Sequence, residues 1–364
     1  MDQELEVKIN RHKDFLSLRE VKRPLIGFSI PGWGGLSLYT EDPENFFPKG
    51  PVDPGAITVP AFRQSYEYYA RNLYEKDDLI RSMEPLPFFP WTEAAAGCPV
   101  VFTGNGFWSE PWKGGTEVRM DQREKRDKAW ILRYEQFLAY LAGRFGASFP
   151  VGQAVLRGPL DMVAAAVGNT EMVFLFYDRP DLVRDLLADF TELFVEFLQV
   201  QAAKTPPFHG GYGLGIYHLW TPGTCARLQE DAMALISPAL YEEFVEPWDR
   251  VIAGVAEYSV FHVHTTGLFL TDYLLRNPGL KIIQVSIDEG VQELEPFLSS
   301  IRSIQKAGKC LMLKGRFTRE DFDLIGKNLD YQGLAIQAVV DTAREAEEVF
   351  ALFESGEPRQ GKAF

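Results

Sequence analysis

Short runs of apolar and β-branched residues alternate along the chain with longer stretches in which apolar residues recur every three or four positions. This alternation predicts strands joined by amphipathic helices, which is typical of a parallel sheet with crossover helices. Strands are predicted near residues 24–30, 99–103, 151–157, 212–219, 258–264, 281–287, 309–314 and 334–339. Helices are predicted near residues 61–82, 117–145, 178–203, 237–257, 290–307, 318–327 and 341–355. This pattern favours an α/β fold, a closed (β/α)8 TIM barrel with an N-terminal helical extension and long rim loops, over an open Rossmann-like sheet.

The segment 31–60 interrupts the pattern because it is rich in proline and glycine and has no periodicity. Loops of this length are usually either functional or disordered. We expect it to form a lid or pocket wall that brings Trp33 to the ligand. No boundary divides the chain cleanly, so residues 1–364 are interpreted as one domain.

Polar residues recur at one face of the later strands. In YSVFHVH (258–264) the side chains alternate, so that His262 and His264 share the face that we expect to point into the barrel. Polar side chains at the ends of the following strands are expected on the same face: Gln284, Asp288, Lys314 and Gln337, with Arg316 just beyond. Burying such groups together without a ligand is costly, so their convergence predicts a pocket. The alternative for either histidine alone is a structural role.

Other candidate residues come from helices and loops. Glu243 shares an apolar stripe of the helix near 237–257, and a buried glutamate needs a cation, a metal or a hydrogen-bond donor. The alternative is that Glu243 reaches solvent from the edge of the stripe. Further residues predicted near the rim are Glu93, Trp108, Tyr217, His218 and Trp220. The aromatic ones suit an apolar ligand, with core packing as the alternative.

The charge of the chain limits its partners. The formal net charge is −14, which disfavours nucleic acid and anionic membrane surfaces. No apolar run approaches the ~18 residues of a membrane span, and the N-terminus has no signal-peptide pattern. We therefore expect a cytoplasmic protein whose partners are small molecules or other proteins, with a homodimer left open. The three cysteines fit neither a disulfide framework nor a metal knuckle.

Four segments together resemble the superfamily of uroporphyrinogen decarboxylase and the cobalamin-dependent methyltransferases. They are PFFPWTEAAAGCPV (87–100), RGPLDMVAAAVGNTEMVFLFYDRPDLVRDLL (157–187), QEDAMALISPALYEEFVEPW (229–248) and FHVHTTG (261–267). The resemblance extends from about residue 12 to residue 355 and implies a TIM barrel. It leaves the reaction open, because the superfamily divides between decarboxylation and methyl transfer.

Departures from the decarboxylase pattern place the chain nearer the methyltransferases. The decarboxylases have an arginine-rich segment after the first strand, whereas residues 29–39 contain no arginine. Their essential aspartate and tyrosine would fall near Phe88 and Ala165, and their late histidine would fall in LAIQAVVD.

The methyltransferase resemblance implies a zinc site. Coenzyme-M members have an H-x-C-G motif. The corresponding segment here, HTTG (264–267), has the histidine and the glycine but has Thr266 at the position of the cysteine. Relatives that demethylate phenyl methyl ethers bind zinc with two glutamates and a histidine, which implies Zn²⁺ held by His264, Glu243 and either Glu230 or Asp231.

The implied function is zinc-assisted transfer of a methyl group from a small substrate to a corrinoid carried by a partner protein. An aromatic substrate is one form of this expectation. Two alternatives remain open. One is a decarboxylase-like reaction on a smaller carboxylate, with Lys314, Arg316 or His218 supplying the cation. The other is a relative that binds a ligand without turnover.

Overall fold

The computed structural model describes residues 3–30, 47–113, 126–288, 290–291 and 293–354. Its strands are β1 (Leu25–Ser29), β2 (Gly50–Val52), β3 (Val100–Phe102), β4 (Phe107–Ser109), β5 (Tyr212–Gly213), β6 (Trp220–Thr221), β7 (Cys225–Gln229), β8 (Tyr258–His264), β9 (Leu280–Ser286), β10 (Cys310–Gly315) and β11 (Leu334–Val339). Its α-helices are α1 (Gln3–Leu16), α2 (Val59–Arg71), α3 (Trp91–Ala95), α4 (Lys128–Phe145), α5 (Pro159–Val167), α6 (Asn169–Asp178), α7 (Pro180–Lys204), α8 (Pro238–Leu240), α9 (Glu246–Ala253), α10 (Thr271–Arg276), α11 (Leu298–Lys306), α12 (Arg319–Asn328) and α13 (Ala343–Glu354).

A parallel six-stranded sheet forms the centre of the fold, in the order β1-β11-β10-β9-β8-β7. The predicted α/β class is therefore confirmed. The strands predicted near 24–30, 258–264, 281–287, 309–314 and 334–339 are all present in this sheet. Helices follow most of these strands, as crossover connections between parallel neighbours require.

The other three predicted strands do not belong to this sheet. The strand near 99–103 is β3, which lies in a separate antiparallel sheet with β2 and β4. The segment 212–219 forms only β5, followed by a 3₁₀ turn over Gly215–Tyr217. The segment 151–157 makes a single parallel bridge, from Val151 to Met83. The sequence analysis missed β7, because the polar Arg227 and Gln229 interrupt its apolar run.

Two irregular segments bond to the outer strands of the main sheet. The backbone N–H of Asp78 donates to the carbonyl oxygen of Ile26 in β1 at 2.9 Å. The backbone N–H of Gly158 donates to the carbonyl oxygen of Gln229 in β7 at 3.0 Å. Residues 78–83 and 150–158 thus extend the pattern of backbone bonds beyond the assigned strands.

The side chains of β8 to β11 alternate as the sequence predicts. Phe261, Ile283 and Leu313 belong to the large core between the sheet and its helices. On the opposite face, apolar residues near the N-terminal ends of the strands pack together with Phe15 of α1. We call this group the lower cluster; its buried members are Phe15, Leu25, Leu79, Leu214, Tyr217, Leu219, Val260, Ile282, Cys310, Met312 and Ala335.

The helix predicted near 237–257 contains a π-helical turn over Tyr241–Val245, between α8 and α9. A π turn changes which residues face the core. The predicted apolar stripe is therefore wrong: Val251 is 51% exposed. The side chain of Glu243 is 57% exposed and pairs with Arg184 at the surface, whereas Glu246 is buried.

Within the described residues, no single helix has both the length and the hydropathy of a membrane span. The helices α5 and α6 reach that threshold only as a pair, bent by 106° between them.

Candidate functional site

A cavity of about 1040 Å³ opens where β7, β8 and β10 end. Its wall combines apolar side chains from the 86–111 region with charged and polar side chains from the sheet. The polar and charged lining residues are Glu93, Asn105, Ser109, Arg157, Asp161, Asn169, Arg227, Gln229, Asp231, His262, His264 and Lys314. A concave site with an apolar wall and a few polar groups is typical of a small-molecule site.

Three ligand-type atoms converge in this cavity. The Nε2 atoms of His262 and His264 lie 3.1 Å apart. Oδ1 of Asp231 lies 3.8 Å from each of them. Asp231 reaches this position because it begins the 3₁₀ turn Asp231–Leu235, two residues beyond the end of β7.

A second layer of hydrogen bonds orients both imidazoles. Nδ1 of His264 bonds to Asp288, and Nδ1 of His262 bonds to Oε1 of Gln284. The same Gln284 oxygen accepts the Tyr217 hydroxyl at 2.8 Å, and that hydroxyl in turn accepts Nε of Arg227 at 2.9 Å. Because Asp288 and Gln284 accept, both histidines have their proton on Nδ1.

This assignment leaves the two Nε2 lone pairs facing each other beside a carboxylate oxygen. Three acceptors at these distances repel one another unless a cation or a proton lies between them. Burial, with the Arg227 charge adding to it, holds the pKa of His262 well below its usual range, so an added proton is disfavoured there.

The triangle of acceptor atoms has the dimensions of a metal site. A point in its plane lies about 2.1 Å from all three atoms, which matches zinc–nitrogen and zinc–oxygen bond lengths. Catalytic zinc sites use three protein ligands and leave one position for water or substrate. Asp231, His262 and His264, which we call the metal triad, are suited to that arrangement because all three face the cavity.

Cationic side chains also line the cavity. Arg157 forms an ion pair with Glu93 at 3.2 Å, and the Glu93 charge raises the pKa of Arg157. Burial, assisted by the charge of Arg227, lowers the pKa of Lys314 to about 8. Burial raises the pKa of Asp161 to about 7, and the charge of Asp231 contributes.

The mouth of the cavity is apolar and partly exposed. Phe88 is 53% exposed and Trp108 is 52% exposed, although both line the cavity. Phe89 and Phe107 lie behind them, with ring centroids 5.1 Å apart. This wall can contact an apolar part of a ligand or of a partner protein.

The structure brings several predicted residues together at this cavity: Glu93, Trp108, His262, His264 and Lys314. Asp288, Gln284 and Tyr217 stand behind the histidines and do not line the cavity. Trp33 and residues 31–46 of the predicted lid lie outside the described residues.

Other predicted residues lie elsewhere. Glu243 is at the surface, so its predicted place beside His264 is corrected. Glu230 is buried with its carboxylate turned to the backbone N–H of Asp161, because consecutive residues point in opposite directions. Burial and the nearby Asp249 raise its pKa well above the usual range.

Four more residues that were predicted near the cavity do not line it. Trp220 packs with Ile9 of α1, and its indole N–H donates to the backbone carbonyl oxygen of Phe208 at 2.9 Å. His218 accepts the backbone N–H of Ser82 at 3.3 Å and does not line the cavity. Arg316 pairs with Asp341 in an exposed contact. Gln337 is buried and donates to the carbonyl oxygen of Ile216.

The zinc ligands implied by the resemblance did not include His262, and they included Asp231 only as an alternative to Glu230. The sequence analysis compared His264 and Thr266 with the H-x-C motif, but Thr266 is exposed. His262 and His264 have the same two-residue spacing as the His and Cys of that motif. Aligning the motif with these two histidines would have identified the pair whose Nε2 atoms lie 3.1 Å apart. Arg157 and Arg227 were not predicted: Arg157 lies in an irregular segment, and Arg227 lies between Ala226 and Leu228 on β7, a strand that the sequence analysis missed.

A methyltransferase from Methanosarcina mazei has a similar structure, with a TM-score of 0.62 and 12% sequence identity. The match covers 95% of this chain and 97% of that protein. At this identity the likeness shows a shared fold. No family model matches the sequence. No curated protein matches it.

Proposed function

We propose that this chain is a zinc-dependent enzyme of the methyltransferase type, in which Asp231, His262 and His264 bind the metal. The convergence of three ligand-type atoms, with Asp288 and Gln284 bonded to the Nδ1 atoms of the two histidines, is the observation that supports this most strongly. The shared fold with a methyltransferase supports the reaction class. Two imidazoles and a carboxylate form a borderline donor set that suits zinc and also iron(II), so the identity of the metal is part of the test.

We also propose that the six-stranded sheet closes into a (β/α)8 barrel through residues 78–86 and 150–158. The bonds Asp78 to Ile26 and Gly158 to Gln229 support this closure at the two edges. The bond from the N–H of Gly152 to Met83 supports it between the segments. In such a barrel the C-terminal strand ends, where His264 and Lys314 lie, form the active site.

A zinc ion bound by the metal triad would act as a Lewis acid toward an oxygen or sulfur atom of the substrate. The protein's own contribution is to orient the metal-binding side chains and to exclude water from the site. Asp288 and Gln284 fix the two ring orientations, which raises the basicity of the ligating nitrogens. Phe89 and Phe107 form an apolar wall beside the substrate, where charges interact more strongly than in water.

The substrate in this proposal is a small, methylated molecule with an apolar or aromatic part. The methyl acceptor is the corrinoid of a separate partner protein. The exposed Phe88 and Trp108 at the cavity mouth support a docking partner there, because exposed aromatic residues are frequent in protein interfaces.

Metal content tests the proposal directly. Protein purified without chelator is expected to contain about one zinc ion per chain. His262→Ala and His264→Ala are each expected to lose the metal, because two remaining ligands do not hold it. Glu243→Ala is the matched control, since it removes a carboxylate that lies at the surface. The measurement is elemental analysis by mass spectrometry, with circular dichroism to verify folding.

Activity provides the second part of the test. With cob(I)alamin as acceptor and a panel of small methyl ethers, thioethers and methylamines as donors, wild-type protein and Glu243→Ala should form methylcobalamin, whereas the two histidine variants should not. Metal bound equally by wild type and by both histidine variants would contradict the proposed site. Iron in place of zinc would redirect the proposal to another chemistry.

A further inference from the structure

Arg227 and Lys314 place two positive charges on the wall of the cavity near the metal triad. Arg227 lies on β7 and Lys314 on β10, both on the sheet face that bears His262. Arg227, Lys314 and His262 all line the same cavity. Two neighbouring cations repel each other unless anions lie nearby.

Arg227 has unsatisfied hydrogen-bonding capacity. The residue is only 3% exposed. Its Nε donates to the Tyr217 hydroxyl, but its Nη1 is buried with no hydrogen-bond partner within the described residues. A guanidinium remains charged in proteins, and an unpaired buried donor costs about 1–3 kcal/mol. Arg227 also lines the cavity, so this donor lacks an acceptor close to the space where a ligand would bind.

Lys314 is similarly without a partner. Its ammonium makes no hydrogen bond or ion pair with the part of the chain that the structure describes, although it reaches the cavity. The acidic group that acts on both cations is Glu84. Burial raises the pKa of Glu84 well above its usual range, against the opposing charges of Arg227 and Lys314. Within the described residues, however, no hydrogen bond or ion pair joins the Glu84 carboxylate to either cation, and its Oε2 atom is itself buried without a hydrogen-bond partner.

Arg157, the third cation of the cavity, differs from this pair because Glu93 already neutralises it. The carboxylate of Asp231 belongs to the metal triad. An external anion is therefore the partner that the pair Arg227 and Lys314 lacks.

We propose that Arg227 and Lys314 bind the carboxylate of a small organic acid, which makes the substrate of this cavity a carboxylic acid with an apolar body. The carboxylate would accept from the guanidinium of Arg227 and from the ammonium of Lys314, while the apolar body contacts Phe89 and Phe107. This inference rests on the proposed function only in placing the substrate beside the metal triad.

Benzoate and benzamide, which have nearly the same shape, test the proposal. Calorimetric titration of metal-free protein at pH 7 is expected to show benzoate binding at least about 10-fold more tightly than benzamide, since hydrogen bonds to charged groups are the stronger ones. Lys314→Met should weaken benzoate binding by about 10- to 100-fold and leave the affinity for benzamide unchanged. Lys314→Met should fold, because it removes a buried charge and leaves no described partner unpaired.

Arg316→Met is the matched control, because Arg316 lies two residues along and pairs with Asp341 at the surface. It should bind both probes as wild type does. Lys314→Gln repeats the test if the methionine variant is unstable. Equal affinity for benzoate and benzamide, or a benzoate preference that survives both Lys314 variants, would overturn the proposal.

The metal content of each protein as purified, measured before the metal is removed for the titration, separates this inference from the proposed function. Protein that holds zinc but does not prefer benzoate contradicts only the carboxylate subsite. Protein that prefers benzoate through Lys314 but binds no metal contradicts only the zinc chemistry.

Discussion

The same strands form two chemically opposite regions on one face of the sheet. Toward the N-terminal ends, Val260 and Met312 belong to the lower cluster, which Phe15 of α1 covers. Two residues further along the same strands, His262 and Lys314 line the cavity. The face therefore changes from apolar packing to charged and ligand-type groups within one repeat of the strand.

The comparison indicates a division of roles. The lower cluster contributes burial, at about 1.5–3 kcal/mol for each large apolar side chain. The cavity region contains groups whose electrostatic interactions are only partly satisfied within the described chain, notably the metal triad and the unpaired Nη1 of Arg227. Substitutions in the lower cluster should change stability, whereas substitutions in the cavity region should change the binding of metal or ligand.

The largest expected effect on stability comes from the lower cluster. Ile282 is 0% exposed, and Ile282→Ala is expected to reduce the free energy of unfolding by about 2–5 kcal/mol. Urea denaturation measures this loss, and Val251→Ala is the control because Val251 is half exposed. Metal content of folded Ile282→Ala should stay at the wild-type value. Loss of metal from this folded variant would show that the two regions are not separable.

A pH effect of intermediate size is expected at the same end of the molecule. His12 in α1 is fully buried, and burial lowers its pKa to about 4. The unfolded chain, with an ordinary histidine pKa, binds the proton first, so acid favours unfolding between pH 6.5 and 4. As the pH falls from 6.5 to 4, protonation of this histidine in the unfolded chain should lower the free energy of unfolding by about 3 kcal/mol. Above pH 6.5 the histidine is neutral in both states and this loss is absent.

The measurement for His12 is urea denaturation of wild type and His12→Leu at several pH values. The difference between them should change by about 3 kcal/mol from pH 6.5 to pH 4. His209→Asn, which alters an exposed histidine, should run parallel to wild type. A His12→Leu curve that also runs parallel to wild type would refute the assignment.

The smallest expected effect links the two regions, because Tyr217 belongs to the lower cluster and also holds Gln284. Tyr217→Phe removes the hydroxyl that supports the acceptor of His262. Loss of such an outer hydrogen bond should weaken metal binding by about 10- to 100-fold. Competition with a chromophoric zinc chelator measures it, and Tyr241→Phe, whose hydroxyl bonds Asp249 instead, is the control. Equal zinc affinity in wild type and Tyr217→Phe would contradict the link.

Strand periodicity predicted the part of the site that lies on β8 and β9. Alternation placed His262 and His264 on one face, with Gln284 and Asp288 on the facing strand, and these residues do contact one another. The prediction succeeded because side-chain direction in a regular strand follows from local geometry alone.

The rest depended on irregular backbone. The π-helical turn at Tyr241–Val245 moved Glu243 to the surface, and no 3.6-residue periodicity anticipates it. Asp231 reaches the histidines through a 3₁₀ turn after a strand that was not predicted. The unpaired Nη1 of Arg227 depends on which partners the fold brings to it, which a sequence pattern does not specify.

X-ray absorption at the zinc edge of the purified protein tests the central claim most directly. The account predicts a first shell of nitrogen and oxygen at about 2.0–2.1 Å, with the scattering pattern of two imidazoles and no sulfur. His264→Ala should abolish the signal, and Glu243→Ala should leave it unchanged. A zinc–sulfur distance of about 2.3 Å would assign the metal to cysteine instead and contradict the metal triad.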